Sequence, residues 1–421
     1  MSTLGDPFTL RALKNINQDE LICLCSRLIQ IPSDNPPGDT KVAAEYVKNY
    51  LSDAGIESTL CETKPGIISL MSTIGKGSPH IILNGHIDQF PAEVGEKWSF
   101  NPYSGEVKDG KILGRGSGDM KGGLSSLIYC FKKAASLNLP GKITLTCTAD
   151  EETGGKWGAQ WLLTHYPELR GDGVLSGEPS GLTVRIGEKG MMPLNITTMG
   201  KAAHGSFSGY VGANAISKMA RIIPVVESFN TYVPQFKTNS EWILKLVDAG
   251  YTAQFGHEGE GLSRVLKEVT VNTGVIKGGV KSNIVPAHCE AEVDIRLPLD
   301  TNPQEIQSSI ETKVKTIDPT ACLQFQKDDQ MVPEATYSNI DNALVQSLTK
   351  AAEAVLGSAP LFSFTSGCTD CRFWRRLNIA AAAYGPKVYS MGGIDEYILK
   401  TELIKTAEVH LSTIIRFLKE I

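Results

Sequence analysis

Three short apolar runs, Ile81-Ile82-Leu83, Ile143 to Cys147 and Val174-Leu175, are each followed within a few residues by acidic or imidazole side chains. Runs this short, bounded by turn residues, read as buried strands of an α/β sheet. Between the first two lies a helical pattern with Leu124, Leu127, Ile128, Phe131 and Ala135 on one face. Open α/β folds place their sites in loops at the carboxyl ends of strands, so His86, Asp88, the Asp150-Glu151-Glu152 run and Glu178 stand where a site belongs. Asp119, in Gly118-Asp119-Met120-Lys121-Gly122-Gly123, follows a glycine-rich turn and opens the helix.

The rest of the chain divides around these motifs. Asn17 caps a helix carrying Leu21, Leu24, Cys25 and Leu28, with Glu20 at the reciprocal capping-box position, and a second amphipathic helix stops at Gly55. From Gly187 the pattern changes: Leu194 to Met199 is a strand, Ala213 to Ile223 a helix, and Cys289, Ala291, Val293 and Ile295 alternate with charged residues as a half-exposed antiparallel strand. Asn342 to Leu356 and Leu403 to Leu418 are helical again. With 421 residues, two domains are expected: a discontinuous first domain over 1–187 and 331–421, and an inserted α+β domain over 188–330.

A net charge of −5, with 41 basic and 46 acidic residues and no polybasic stripe, speaks against nucleic acid or an anionic membrane as partner. The N-terminus lacks a basic segment followed by an apolar run, and no apolar stretch is long enough to span a bilayer, so a cytoplasmic location is expected. Nine cysteines scattered through apparent core segments read as reduced thiols; Cys368 and Cys371 have CxxC spacing but no second pair to complete a four-cysteine zinc site.

Each motif alone has an ordinary structural reading. His86 with Asp88 two residues on suits a metal ligand held by a carboxylate, or equally a satisfied structural histidine. Asp119 is favoured as a helix cap, and Arg296 as a strand-face partner of Asp294 or Glu292. Three adjacent carboxylates at 150–152 repel one another unless solvated or neutralised by cations, which is harder to dismiss.

As an ordered set, His86-x-Asp88, Gly118-Asp119-Met120-Lys121-Gly122-Gly123, Asp150-Glu151-Glu152-x-Gly154-Gly155, Gly177-Glu178-Pro179, Ala203-His204-Gly205 and Asn283-Ile284-Val285-Pro286 resemble the co-catalytic zinc peptidase family of acetylornithine deacetylase, succinyl-diaminopimelate desuccinylase, aminoacylase and glutamate carboxypeptidase. The resemblance spans nearly the whole chain. It implies a catalytic domain with a mixed central sheet flanked by helices, plus an α+β lid that dimerises the protein. It implies metal ligation by His86, Asp119, Glu152 and Glu178, with Asp119 bridging two zinc ions, Glu151 as general base and Asp88 orienting His86. It further implies that His204 of the lid reaches into the partner subunit's site, assisted by Asn283, while Lys189, Arg296 and Gly367 bind substrate. Histidine and carboxylate donors without thiolates suit zinc, and cobalt or manganese fit too.

Two departures stand out. The resemblance implies a last ligand in a His-x-x-x-Glu pattern, and counting back from Glu396 gives Gly392. His80, His165, His257, His288 and His410 occupy no matching position. Cysteines also stand around the Asp370-x-Arg372-Phe373 core where small or hydroxyl residues are usual, which makes Cys368 a candidate compensating ligand. The expectation is one tight zinc at His86, Asp119 and Glu178 and a weakened second site, in a hydrolase of an N-acyl amino acid or small peptide. The alternatives are a repurposed relative that forms amides or runs other acyl chemistry, and a non-catalytic ligand-binding pseudoenzyme. The 236–268 stretch, with Trp242 and Phe255, is expected to set part of the specificity.

Overall fold

A computed structural model describes residues 7–92, 95, 97–234, 243, 246–251, 261–325 and 334–420. Trp242 and Phe255 lie outside the described residues, as does His257.

The three apolar runs form the strands His80–His86, Lys142–Thr148 and Gly173–Ser176, mutually parallel in the middle of a nine-stranded sheet. The sheet is mixed: Ile67–Gly75 pairs antiparallel with Lys142–Thr148 on one side, while Ala381–Ala383 continues parallel to Gly173–Ser176 on the other. Val184–Glu188 follows, paired parallel with Phe362–Thr365. Burial on both faces explains why these strands are continuous apolar runs, without the alternation of a one-faced sheet. Helices Gln18–Ile29, Gly122–Ala135, Ala343–Leu356 and Lys400–Glu420 contribute Leu24, Leu127, Leu348 and Ile414 to the core against the sheet.

The sequence elements after Gly187 form a separate five-stranded antiparallel sheet, ordered Thr270–Gly278, His288–Leu297, Leu194–Met199, Cys322–Phe325, with Gly190–Met191 also on His288–Leu297. The alternation of Cys289, Ala291, Val293 and Ile295 puts all four in its own apolar core, under helices Ala215–Glu227 and Pro303–Ile317.

One helix boundary and one capping interaction differ from the sequence expectation. The helix at 215 runs on through Pro224 to Glu227. The helix capped by Asn17 does begin at Gln18, with the Glu20 backbone donating to Asn17 Oδ1, but the Glu20 carboxylate does not return to the cap. Tyr129 Oη accepts the Asn17 N–H, and Glu20 binds Tyr50 and Lys132 instead. Among the described residues no helix is long and apolar enough to cross a membrane.

Candidate metal centre

Because the three central strands run parallel, their carboxyl ends meet on one edge of the sheet. His86 ends the first, Glu151 and Glu152 open a short turn after the second, and Glu178 follows the third by two residues. Asp119 arrives from the turn before helix Gly122–Ala135. That helix can sit against the Glu178 loop only because position 123 is glycine: a Cβ there would collide with the Gly177 carbonyl.

Ligand atoms of His86, Asp119 and Glu152 all lie within 4.8 Å of one another. His86 Nε2 is 3.1 Å from Asp119 Oδ1 and 3.8 Å from Glu178 Oε1. On its other side the ring meets Asp88 through the backbone carbonyl at 3.0 Å, with the Asp88 carboxylate at 3.5 Å. Donation from Nδ1 to that carbonyl leaves the Nε2 lone pair facing the acidic cluster, as a metal ligand requires. The Asp88 carboxylate accepts the backbone N–H groups of Glu151 and Glu152 at 3.3 and 3.1 Å and the Asn35 amide at 2.8 Å. It therefore ties the turn bearing both glutamates to the strand bearing His86.

The charges are unbalanced. Burial, reinforced by neighbouring carboxylates, holds Glu151 and Glu152 well above the usual carboxylate range, and burial pushes Glu178 up to about 8. Burial alone would strip a proton from His86, but its bonds to Asp119 and Asp88 and the charges of Glu178 and Glu151 outweigh that and hold its pKa well above the ordinary value. Asp88 goes the other way: burial opposes its charge, yet its hydrogen bonds keep it ionised. Glu152 Oε1 is buried without a hydrogen-bond partner. An imidazole nitrogen, three crowded carboxylates and an orphaned carboxylate oxygen fit a divalent cation.

A cavity of about 470 Å³ opens above the cluster, walled by Phe90, Glu151, Arg185, Arg296, Gly367 and Cys368 among others. Arg296 pairs with Asp294 at 2.9 Å, as the strand-face reading expects, and also borders the cavity. Lys189 is buried, with Nζ donating to the Glu268 carbonyl at 2.8 Å and Thr270 Oγ1 at 3.1 Å; burial, with Arg296 nearby, lowers its pKa to about 7. His204 and Asn283 do not border this cavity: both are exposed on the second sheet's side, adjacent through the Gly205 N–H to Asn283 carbonyl bond at 2.7 Å.

Cys368 is not brought into the metal cluster. Its thiol faces the Lys189 carbonyl at 3.8 Å, burial pushes its pKa up to about 11, and both it and Cys371 are free thiols. The other histidines with described positions are engaged elsewhere: His80 with Thr144, His165 with the Trp161 carbonyl, His288 with Glu290, and His410 with Ser126 and the Tyr384 carbonyl. Gly392 is exposed, and a Cβ built on it would lie in ordinary van der Waals contact with the Phe90 ring at 3.7 Å. Its φ of +66° is one that L side chains rarely adopt.

One contributor escaped the sequence reading. The buried Glu396 carboxylate accepts the N–H of Gly118 at 3.0 Å and pairs with Arg115 at 2.9 Å. It fixes the turn that presents Asp119. The signal available was the acidic residue itself inside the His-x-x-x-Glu spacing.

Residues 82–416 match the family described as Peptidase family M20/M25/M40. A probable succinyl-diaminopimelate desuccinylase of Staphylococcus epidermidis is 25% identical over 403 residues, covering 94% of this chain and 97% of the relative. An M20 family metallo-carboxypeptidase from Sulfolobus solfataricus superposes with a TM-score of 0.79 at 19% identity, over 95% of this chain and 99% of that one. A dinuclear metal-binding M20 peptidase from Bacillus subtilis gives 0.63 at 15% identity, over 96% and 99%. The chain thus belongs to the M20/M25/M40 peptidase family and is a metal-dependent amidohydrolase.

Proposed function

We propose that the protein hydrolyses the amide bond of an N-acyl amino acid or small peptide, with one metal, zinc by the donor set, held tightly by His86, Asp119 and Glu178. The observation that carries this is His86 Nε2, turned toward Asp119 and Glu178 by the Asp88 contact on the opposite nitrogen. Glu152 and Asp119 are left as a two-residue partial set, because Gly392 supplies no imidazole. A divalent cation so held would polarise the scissile carbonyl and acidify an attacking water.

The protein's own groups do the rest. Glu151, poised by burial toward accepting a proton, takes one from the water and returns it to the amide nitrogen. Arg372 Nη1, 3.6 Å from Glu151 Oε1, sets the position of that base. Arg296 and Gly367 on the cavity wall contact the substrate.

Residues 188–330 serve as lid and dimerisation domain, with the catalytic domain over 1–187 and 331–421. His204 and Asn283 lie together on an exposed face that also presents Phe207, Tyr210, Val211, Val280 and Ile284, an apolar set suited to a second copy of the chain. Each would then reach the partner's cavity. Elemental analysis combined with a screen of N-acyl amino acids and dipeptides tests the reading: metal-dependent release of the free amino acid is expected, and no turnover with any member of the screen contradicts it.

A further inference from the structure

The segment that leaves helix Gln18–Ile29 runs beside the loop after strand His80–His86. The Asn35 N–H donates to the Gln89 carbonyl at 2.9 Å, the Gln89 N–H to the Ser33 carbonyl at 3.1 Å, and Ser33 Oγ to the Ile87 carbonyl at 2.7 Å. Lys121 Nζ donates to the Ile31 carbonyl at 2.7 Å, and the Asp34 carboxylate accepts the Gln89 amide at 2.8 Å and Tyr103 Oη at 2.6 Å. These contacts fix the point from which the Asn35 side chain departs.

Asn35 is 5% exposed, and its Nδ2 lies between two acceptors, Asp88 Oδ2 at 2.8 Å and Thr153 Oγ1 at 3.2 Å. A primary amide carries two N–H donors, so it can serve both at once. Thr153 Oγ1 in turn donates to Asp150 Oδ1 at 2.6 Å, and Asp150 Oδ2 accepts the Trp157 N–H at 2.9 Å. Asp88 therefore grips the Glu151–Thr153 turn by its first two N–H groups, while Asn35 ties the last residue of the turn to the same carboxylate. Asn35 does not border the cavity, so it acts on the turn and not on a substrate.

We infer that Asn35 is a positioning residue for the proposed base: its amide sets the angle at which the turn presents Glu151, and it contributes little to holding the metal. This rests on the hydrolase reading above.

The test follows wild type, Asn35→Leu, Thr153→Val and the double variant on the compound that wild type hydrolyses best in the screen, with metal content measured on each. Asn35→Leu keeps the volume and removes both donors. Expected is a kcat lower by about 30-fold, with KM within about threefold of wild type and metal content unchanged. Thr153→Val should also lower kcat, and the double variant should lose no more than Asn35→Leu alone, because both act through one chain of hydrogen bonds. A wild-type kcat in Asn35→Leu, a rise in KM that accounts for the loss, a loss of metal, or losses that multiply in the double variant would each overturn the inference. If Asn35→Leu does not fold, Thr153→Val decides: a lower kcat with the metal held supports the inference, and an unchanged kcat overturns it. If wild type hydrolyses nothing in the screen, the hydrolase reading fails on its own. Hydrogen exchange at the Glu151 and Glu152 amides then decides whether Asn35 holds the turn: exchange faster by about tenfold in Asn35→Leu, confined to that turn, supports it, and unchanged exchange overturns it.

Discussion

The Glu396 carboxylate lies 3.0 Å from the Gly118 N–H and 3.4 Å from that of Asp119, so a residue near the C-terminus holds the turn that delivers the proposed bridging carboxylate. Its counter-ion Arg115 is 1% exposed, and Glu396 itself is 0% exposed. Truncation to Glu396→Ala removes the charge partner of a buried guanidinium and should lower the unfolding free energy by about 3 kcal/mol. Urea denaturation checks this; a midpoint equal to wild type would remove Glu396 from its positioning role.

Glu151→Gln should keep the metal and lose turnover by about 1,000-fold, since the base moves a proton and is not needed to hold the cation. Metal analysis beside a hydrolysis assay reads both. Ordinary activity in this variant would eliminate the proposed base.

The strand ends, Asp119 and the acidic run were legible because parallel strands must carry their loops to one edge, a rule that works on sequence order alone. The commitments of individual cations were not. Lys189 and Arg185 lie four residues apart in sequence, yet one amine is spent on a carbonyl and a hydroxyl while the other's guanidinium is left open to the cavity. Those outcomes depend on where Glu268 and Thr270 arrive from the second sheet, which no local pattern encodes. Glu396 and its distant partners at 115–119 were hidden for the same reason.

His410 makes the fold acid-sensitive. Burial lowers its pKa from 6.5 to about 4, while the unfolded chain protonates near 6.5. The folded state binds fewer protons in that window, so the stability is fully present above pH 6.5 and is lost as the pH falls toward 4. The loss reaches about 3 kcal/mol. Unfolding measured across this range should be less pH-dependent in His410→Gln than in wild type; identical slopes would contradict the assignment.

The proposed exchange of His204 between subunits predicts complementation. Mixing inactive His204→Ala with inactive Glu151→Gln and allowing subunits to re-pair should restore about a quarter of wild-type activity, because each mixed dimer has one complete site. No recovery, in a mixture shown by sedimentation to contain mixed dimers, would place His204 outside the partner's cavity.

Gly392→His separates loss of a ligand from remodelling of the site. A Cβ at 392 meets the Phe90 ring at 3.7 Å without a clash, but the φ of +66° costs a non-glycine residue about 1 kcal/mol. A second tight metal with raised hydrolysis should follow if the loop swings the ring toward Asp119 and Glu152. Unchanged metal content would mean that position 392 does not face the partial set.

The most direct test is the metal content of the unaltered protein after exhaustive dialysis. With His86, Asp119 and Glu178 proposed as one complete set and no second imidazole at position 392 to join Glu152, about one tightly held metal per chain is expected. Two equally tight metals per chain would contradict the account and require a ligand that Gly392 cannot provide.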